Sequence, residues 1–391
     1  MAFLFSKQLS ILMIGLCLPG ITLAQTYLDS LKVSLDSLAQ HSSLPGFSVA
    51  VVKPAGEVFI YSAGYACLEP QKKFEADARI NLGSVSKTVV GLALAKAIEE
   101  GHLSLDSPIE EFLDFPVSNP WFKDQPILVR HLANHTSTIR DSKHYGKTYI
   151  PQEKVPSPAE VHPGFQQFIQ SHEALSMPAF LARILSPKGA WYRKKNFHKR
   201  APGQEADYAN LNAALAALVI EKASGQSFKA FTQAYIFDPL KMGDTSWEIV
   251  PDQADHYVSG YFPAGAMVPP YQLITYADGG LISTAPDLSK LLAEMMCAYQ
   301  GKSTYLPPTY ARMLLPGDQD EDRMFWGMGE KSRLIGHGGS DPGVQTGFRF
   351  HADSLLGRVV LCNMNAEDQE ALWQKYREIH RILDRYEKRL P

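Results

Sequence analysis

The chain reads as an α/β (α+β) protein in which both chain ends build one antiparallel sheet and a mainly helical region is inserted between them. Three observations carry this reading. Strand-like runs cluster near each end, an amphipathic helix flanks each cluster, and the long middle is helical in pattern with polar, proline-rich loops.

Residues 26–40 carry Leu28, Leu31, Val33, Leu35 and Leu38 at amphipathic helical spacing. Residues 47–52 and 57–65 follow as strands joined at Pro54-Ala55-Gly56. From residue 85 to about 295 helical patterns dominate. Residues 325–329, 333–337, 344–351 and 356–363 then read as short strands. Residues 366–389 form a long charged helix with Leu372, Tyr376, Ile379, Ile382 and Leu383 on one face. The expected organisation is a leader, residues 1–24, and one domain, 25–391. Its α/β part covers about 25–83 and 296–391, its helical part about 84–295. Residues 141–163 lack periodicity and are predicted to be a surface loop. The dense basic cluster at 191–200 fits either a solvated loop or, because it precedes Tyr208, one side of a cleft.

The 391 residues have an ordinary globular composition, and a formal net charge of −3 offers no electrostatic basis for binding nucleic acid or acidic lipid. Lys7, the apolar run from Leu9 to Leu18 and Thr22-Leu23-Ala24 form a secretory signal pattern with cleavage before Gln25. An uncleaved anchor is the alternative, for which the apolar run is short. Cleavage leaves a charge of −4 and predicts a periplasmic or secreted protein with no stable membrane insertion. Cys17 fits a lipoprotein signal poorly, with Leu16 before it and Pro19 after it. Cys67, Cys297 and Cys362 lie far apart in apolar contexts and read as buried free thiols, although an exported chain could pair two of them. His131 and His135 are four apart without the glutamate of a zinc motif, so no metal is expected. Nothing calls for a cofactor, and oligomeric state is left open.

Three short boxes carry the chemistry: Ser84-Val85-Ser86-Lys87, Tyr208-Ala209-Asn210 and His337-Gly338-Gly339-Ser340. Ser84 begins an apolar helix that Gly101 is placed to cap, so its hydroxyl sits where free amides and the helix dipole favour a developing anion. Lys87 returns to the same face one turn later. Burial disfavours the charged form of an ammonium, whose ordinary pKa is about 10.4, and a neutral amine can accept a serine proton. Tyr208 offers a phenol for proton relay and Asn210 an amide for a substrate carbonyl, but an aromatic staple and a helix N-cap would read the same way. The paired glycines are either a turn or an edge strand that substrate backbone can approach, with the Ser340 amide joining that of Ser84 as an oxyanion hole.

The order S-x-x-K, Y-x-N, H-x-G resembles the penicillin-recognising serine hydrolases: class C β-lactamases, D,D-peptidases, D-aminopeptidases and related esterases. Residues 129–137, 237–246 and 279–287 resemble further landmarks of that family, and the likeness spans residues 45–365. It implies a β-lactamase/transpeptidase-like fold, with Ser84 as nucleophile, Lys87 and Tyr208 as its proton-handling pair, and Asn210 positioning the acyl amide. It also implies small-molecule, peptide or ester substrates. His337-Gly338-Gly339 departs from the Lys-Thr-Gly of class C β-lactamases, where lysine and threonine hold the substrate carboxylate. His337 supplies at most a partial charge near neutral pH and Gly338 has no hydroxyl. The leading expectation is therefore an exported peptidase, carboxypeptidase or esterase acting on D-amino-acid substrates, with a class C-type β-lactamase second. A non-catalytic binder of cell-wall fragments predicts loss of Ser84, Lys87 or Tyr208, and all three are present.

Overall fold

The computed structural model describes residues 19–152, 175–250, 256–317, 323–329, 331–365 and 369–387. Its centre is an antiparallel sheet assembled from both ends of the chain. The first part supplies β1 (Gly46–Lys53), β2 (Gly56–Cys67) and the edge strand β3 (Lys72–Lys73). Two short pairs belong to the middle: β4 (Ile80–Asn81) with β7 (Ile282–Ser283), and β5 (Tyr149–Pro151) with β6 (Tyr271–Leu273). The last part supplies β8 (Gly327–Met328), β9 (Leu334–Asp341), β10 (Val344–His351) and β11 (Gly357–Cys362). The order across the sheet is β3-β2-β1-β11-β10-β9-β8, with Phe47 opposite Cys362 and Val52 opposite Gly357 where the two ends meet.

Period-two alternation explains why this sheet is covered on both faces. Val49, Val51 and Val360 point into one apolar cluster, and Ala50, Val52, Val359 and Leu361 into the other. The first cluster is closed by α1 (Pro19–His41) through Leu31, Leu35 and Leu38, and by the C-terminal helix through Ile379, Ile382 and Leu383. The second is closed by the inserted helices. These are α2 (Ser86–Glu99), α3 (Val129–Ala133), α4 (Met177–Leu185), α5 (Asn210–Ser224), α6 (Phe228–Thr232), α7 (Ala285–Tyr299) and α8 (Pro308–Leu314). The C-terminal helix, α9, spans Glu370–Glu387. Helix α7 lies on the sheet itself, where Leu292 and Met296 press on Gly357.

Most predicted elements are found within a residue or two, with three differences. Helix α1 begins at Pro19, seven residues before the predicted start, and runs through the expected cleavage point; residues 1–18 lie outside the described ones. Strand β9 does not stop at His337 but continues to Asp341, so the whole His-Gly-Gly-Ser box is strand, paired residue by residue with Gln345–Phe348. Residues 141–152 are not a plain surface loop. They turn inward, pair through β5 and bury Thr148 and Tyr149, while 153–163 lie outside the described residues. All three described cysteines are free thiols; Cys362 is buried, as expected, but Cys67 and Cys297 are only half-buried.

Candidate active site

Ser84 sits in a single 3-10 turn, Gly83–Val85, that leads directly into α2. The turn is held from both sides: Gly83 N–H donates to Asn81 Oδ1 (2.8 Å), and Ser86 Oγ donates to Gly83 O (2.7 Å) while accepting from Leu281 N (3.0 Å). Helix α2 is buried almost throughout, and Lys87 is fully buried on it. Its Nζ donates to Ser84 Oγ at 3.0 Å and to the backbone carbonyl of Asp278. Tyr208, on the extended approach to α5, donates from its hydroxyl to the same Ser84 Oγ at 2.9 Å. The phenol ring lies 5.2 Å from Lys87 Nζ, and 48 % of Tyr208 remains exposed, so one proton-bearing group is internal and the other faces the cleft.

Tyr208 is backed by a chain of neutral contacts. The His135 ring packs on it at 4.6 Å, and His135 Nδ1 accepts from Ala209 N (3.3 Å) and Asn212 Nδ2 (3.1 Å). Burial, then the nearby Lys87 charge, pushes His135 down to about 3, so it stays uncharged. Asn210 is the first residue of α5 rather than its N-cap, which is Ala209. The capping is done by Asp141: its carboxylate accepts from Asn210 N (2.9 Å), Asn210 Nδ2 (2.9 Å) and Leu211 N (3.1 Å). Although Asp141 is exposed, the protein crowded around its carboxylate raises its pKa against these donors.

The third box closes the site as an open strand edge. Strand β8 pairs with β9 only at Ile335 and Gly336, so from His337 onward that edge has no strand neighbour among the described residues. A Cβ on Gly339 would stand 2.1 Å from Leu82 O, so only glycine lets β9 lie against the nucleophile turn. Contact is closed further by Thr346 Oγ1 donating to Leu82 O (2.7 Å). The Ser340 amide nitrogen faces this turn, 3.2 Å from where a Gly83 Cβ would be, which suits it to serve with Ser84 N–H as an oxyanion hole. Burial, then Lys87, pushes His337 down to about 4, so the box is neutral near pH 7.

These residues line one cleft of about 480 Å³. Of the eight sequence-predicted site residues, Ser84, Tyr208, Asn210, His337, Gly338, Gly339 and Ser340 line it, and Lys87 reaches Ser84 from beneath. The basic cluster does not line it. Trp191 instead stacks on His144 at 5.3 Å, bracing the segment that carries Tyr145 and Tyr149, while Lys194 and Lys199 lie over Trp121.

Several cleft residues escape sequence reasoning. Tyr145, Tyr149, Asp278 and Asp341 form one end, where Tyr145 donates to Asp278 Oδ1 (3.0 Å) and Tyr149 to Asp341 Oδ1 (2.5 Å). Arg349, Trp373 and Tyr376 form the other. Arg349 lies on β10 opposite Gly336 and crosses over Gly338, where a Cβ would stand 3.1 Å from its NH2. It makes no ion pair among the described residues. A charge set between Phe348 and Phe350 is the one signal for it in the sequence.

The sequence profile of the beta-lactamase family matches residues 34–381. Penicillin-binding protein 4* of Bacillus subtilis is 24 % identical over 363 residues, covering 87 % of this chain and 72 % of that protein. Across the first relatives it matches, the chain spans 63–72 % of their lengths. Two solved structures share the fold. The octameric penicillin-binding protein homologue from Pyrococcus abyssi has a TM-score of 0.70 at 22 % identity, covering 91 % of this chain and 77 % of that one. The D-alanine carboxypeptidase AmpC from Burkholderia cenocepacia has a TM-score of 0.63 at 18 % identity, covering 93 % and 99 %. A buried lysine and a phenol on one serine hydroxyl, within a chain matched over nearly its whole length, lead to one conclusion: the protein belongs to the beta-lactamase family and is a serine hydrolase.

Proposed function

We propose that the protein is an exported hydrolase of short D-amino-acid peptides or esters, working through an acyl-enzyme on Ser84. The observation that carries this reading is the pair of contacts on Ser84 Oγ, 3.0 Å to Lys87 Nζ and 2.9 Å to Tyr208 OH. In the first step one member of this pair, in its deprotonated form, takes the Ser84 proton as Oγ attacks the substrate carbonyl. The oxygen that becomes negative is held by the Ser84 and Ser340 amides, a kind of donor worth about 3–4 kcal/mol when removed. Tyr208, the exposed member, returns a proton to the leaving amine or alcohol as the bond breaks. Water then enters by the same route, loses its proton to the pair and hydrolyses the ester.

The leaving group is read from the β10 side of the cleft. His337 is neutral and Gly338 has no hydroxyl, so the third box itself offers no fixed positive charge. Arg349 supplies one at the same edge, free to take a carboxylate in a two-pronged contact. This favours peptides ending in a carboxylate, and the likeness to a D-alanine carboxypeptidase supports D-residues. Export rests on the signal pattern of residues 1–24.

Intact-mass time courses test the reading, with a penicillin and with D-alanyl-D-alanine peptides, and with Ser84→Ala as control. A long-lived penicillin adduct that needs Ser84, together with peptide cleavage, is expected. Fast penicillin hydrolysis without adduct and without peptide cleavage would make the protein a β-lactamase instead. Peptide cleavage that survives in Ser84→Ala would remove the acyl-enzyme altogether.

A further inference from the structure

The end of the cleft away from Arg349 holds a carboxylate with an empty coordination position. Asp278 is 1 % exposed and lines the cleft. Its Oδ1 accepts from Tyr145 OH at 3.0 Å and the Thr275 hydroxyl lies against the carboxylate, while among the described residues Oδ2 is buried with no hydrogen-bond partner within reach. A buried polar oxygen left unpaired in this way costs free energy unless a partner arrives. Lys87 is not that partner. Its Nζ is engaged by Ser84 Oγ and the Asp278 backbone carbonyl, and among the described residues it forms no ion pair with the carboxylate.

The surroundings suit a cation. Burial holds the Tyr145 and Tyr149 phenols well above their ordinary range, so both stay neutral donors whose rings wall the space. Gly279 separates the two carboxylates, and a Cβ there would stand 3.0 Å from Asp341 Oδ2 and 3.9 Å from Gly83 C. The space therefore lies against the nucleophile turn. Burial raises Asp278 to about 7, and a bound cation would return it to the charged form. The two ends of the cleft thus differ in sign, with Arg349 beside Gly338 and Asp278 with Asp341 beyond Ser340. A peptide bears its ammonium on the acyl side and its carboxylate on the leaving side, so this polarity orients it across Ser84.

We infer that Asp278 Oδ2 takes the free α-ammonium of the acyl residue, which selects unblocked amino-acid esters, amides and dipeptides over N-acylated ones. The inference rests on the acyl-enzyme reading above for its catalytic meaning, but the recognition it describes is measurable without turnover. In Ser84→Ala protein, D-alanyl-D-alanine should bind about 10- to 100-fold tighter than N-acetyl-D-alanyl-D-alanine or propionyl-D-alanine, which lacks the amine. The L,L pair run alongside separates chirality from charge. Adding Asp278→Asn should remove most of that preference while leaving the two amine-free ligands within about threefold. Because the first comparison changes only the ligand, it stands even if the Asn variant folds poorly.

Equal or tighter binding of the amine-free ligands, or no binding of any of them, would overturn the inference. Equal weakening of all ligands by Asp278→Asn would overturn it as well, since Asp278 would then act by supporting Lys87. Ser84-dependent cleavage with no amine preference would sink this inference alone. An amine preference without Ser84-dependent cleavage would sink the proposed function and leave this recognition standing.

Discussion

A serine hydroxyl bonded at once to a fully buried lysine nitrogen and to a half-exposed phenol is chemically biased before any substrate arrives. The inner partner is fixed by the helix it grows from, and the outer one faces both the cleft and solvent. On the proposed function, recognition falls to other single residues. Replacing Arg349 by Gln keeps the length and planarity of the group but removes its charge. For D-alanyl-D-alanine we expect KM to rise about 10- to 100-fold with kcat little changed, and for the C-terminal amide of the same peptide we expect no comparable change. Steady-state kinetics on the two peptides check this, and equal losses on both would remove Arg349 from the recognition of the carboxylate. The nucleophile boxes are legible in the sequence because each is contiguous and its spacing alone puts groups on one face. Arg349 and Asp278 are not, because their meaning comes from a strand crossing and from an orphaned oxygen, neither of which has a local pattern.

At the scale of elements, the site depends on how closely α2 and β9 approach their neighbours. Gly91 lies one turn beyond Lys87, and a Cβ there would fall 1.9 Å from the carbonyl oxygen of Met324. The same contact is tied by Trp326 Nε1 donating to Thr88 O (3.1 Å). Since the obstacle is backbone, Gly91→Ala should cost about 2–3 kcal/mol of stability. Equilibrium urea unfolding reads this, and an unchanged midpoint would mean that the 323–326 segment yields freely. Activity should fall with it, because α2 carries Lys87. Strand β9 shows why boundaries resist sequence reading. Two consecutive glycines usually signal a turn, yet here they continue a strand, because Leu82 O and Arg349 occupy the spaces their side chains would fill. Residues 141–152 show the converse. Their lack of periodicity reads as surface, whereas Asp141 caps α5 from 69 residues upstream and Tyr149 is buried by the cleft.

For the whole molecule, neutral buried histidines set the response to acid. His380 on α9 packs edge-on against Tyr376 at 5.0 Å, and burial, then the charges of Arg358 and Arg349, push it down to about 3. The unfolded chain takes up this proton near pH 6.5 and the folded one does not. Its contribution to stability is thus complete above about pH 6.5 and is lost as pH falls toward 3. His380→Gln should flatten the decline in unfolding free energy between pH 6.5 and 4.5, read by urea unfolding, by up to about 1.4 kcal/mol per pH unit. An unchanged slope would mean that His380 is protonated in the fold. Asp278, raised to about 7, acts in the opposite sense and partly offsets the histidines. The architecture is the most legible level, since alternation and amphipathic spacing at both ends already imply a sheet closed by distant segments. That closure orders events in time. Val52 meets its partner only at Gly357, so a growing chain displays Ser84 and Lys87 long before the strand carrying Ser340 has been made. While it is still on the ribosome, the emerging polypeptide carries the serine proposed as nucleophile without the amide proposed to hold the oxyanion, so on that reading its reactivity toward acyl donors waits until synthesis is nearly finished.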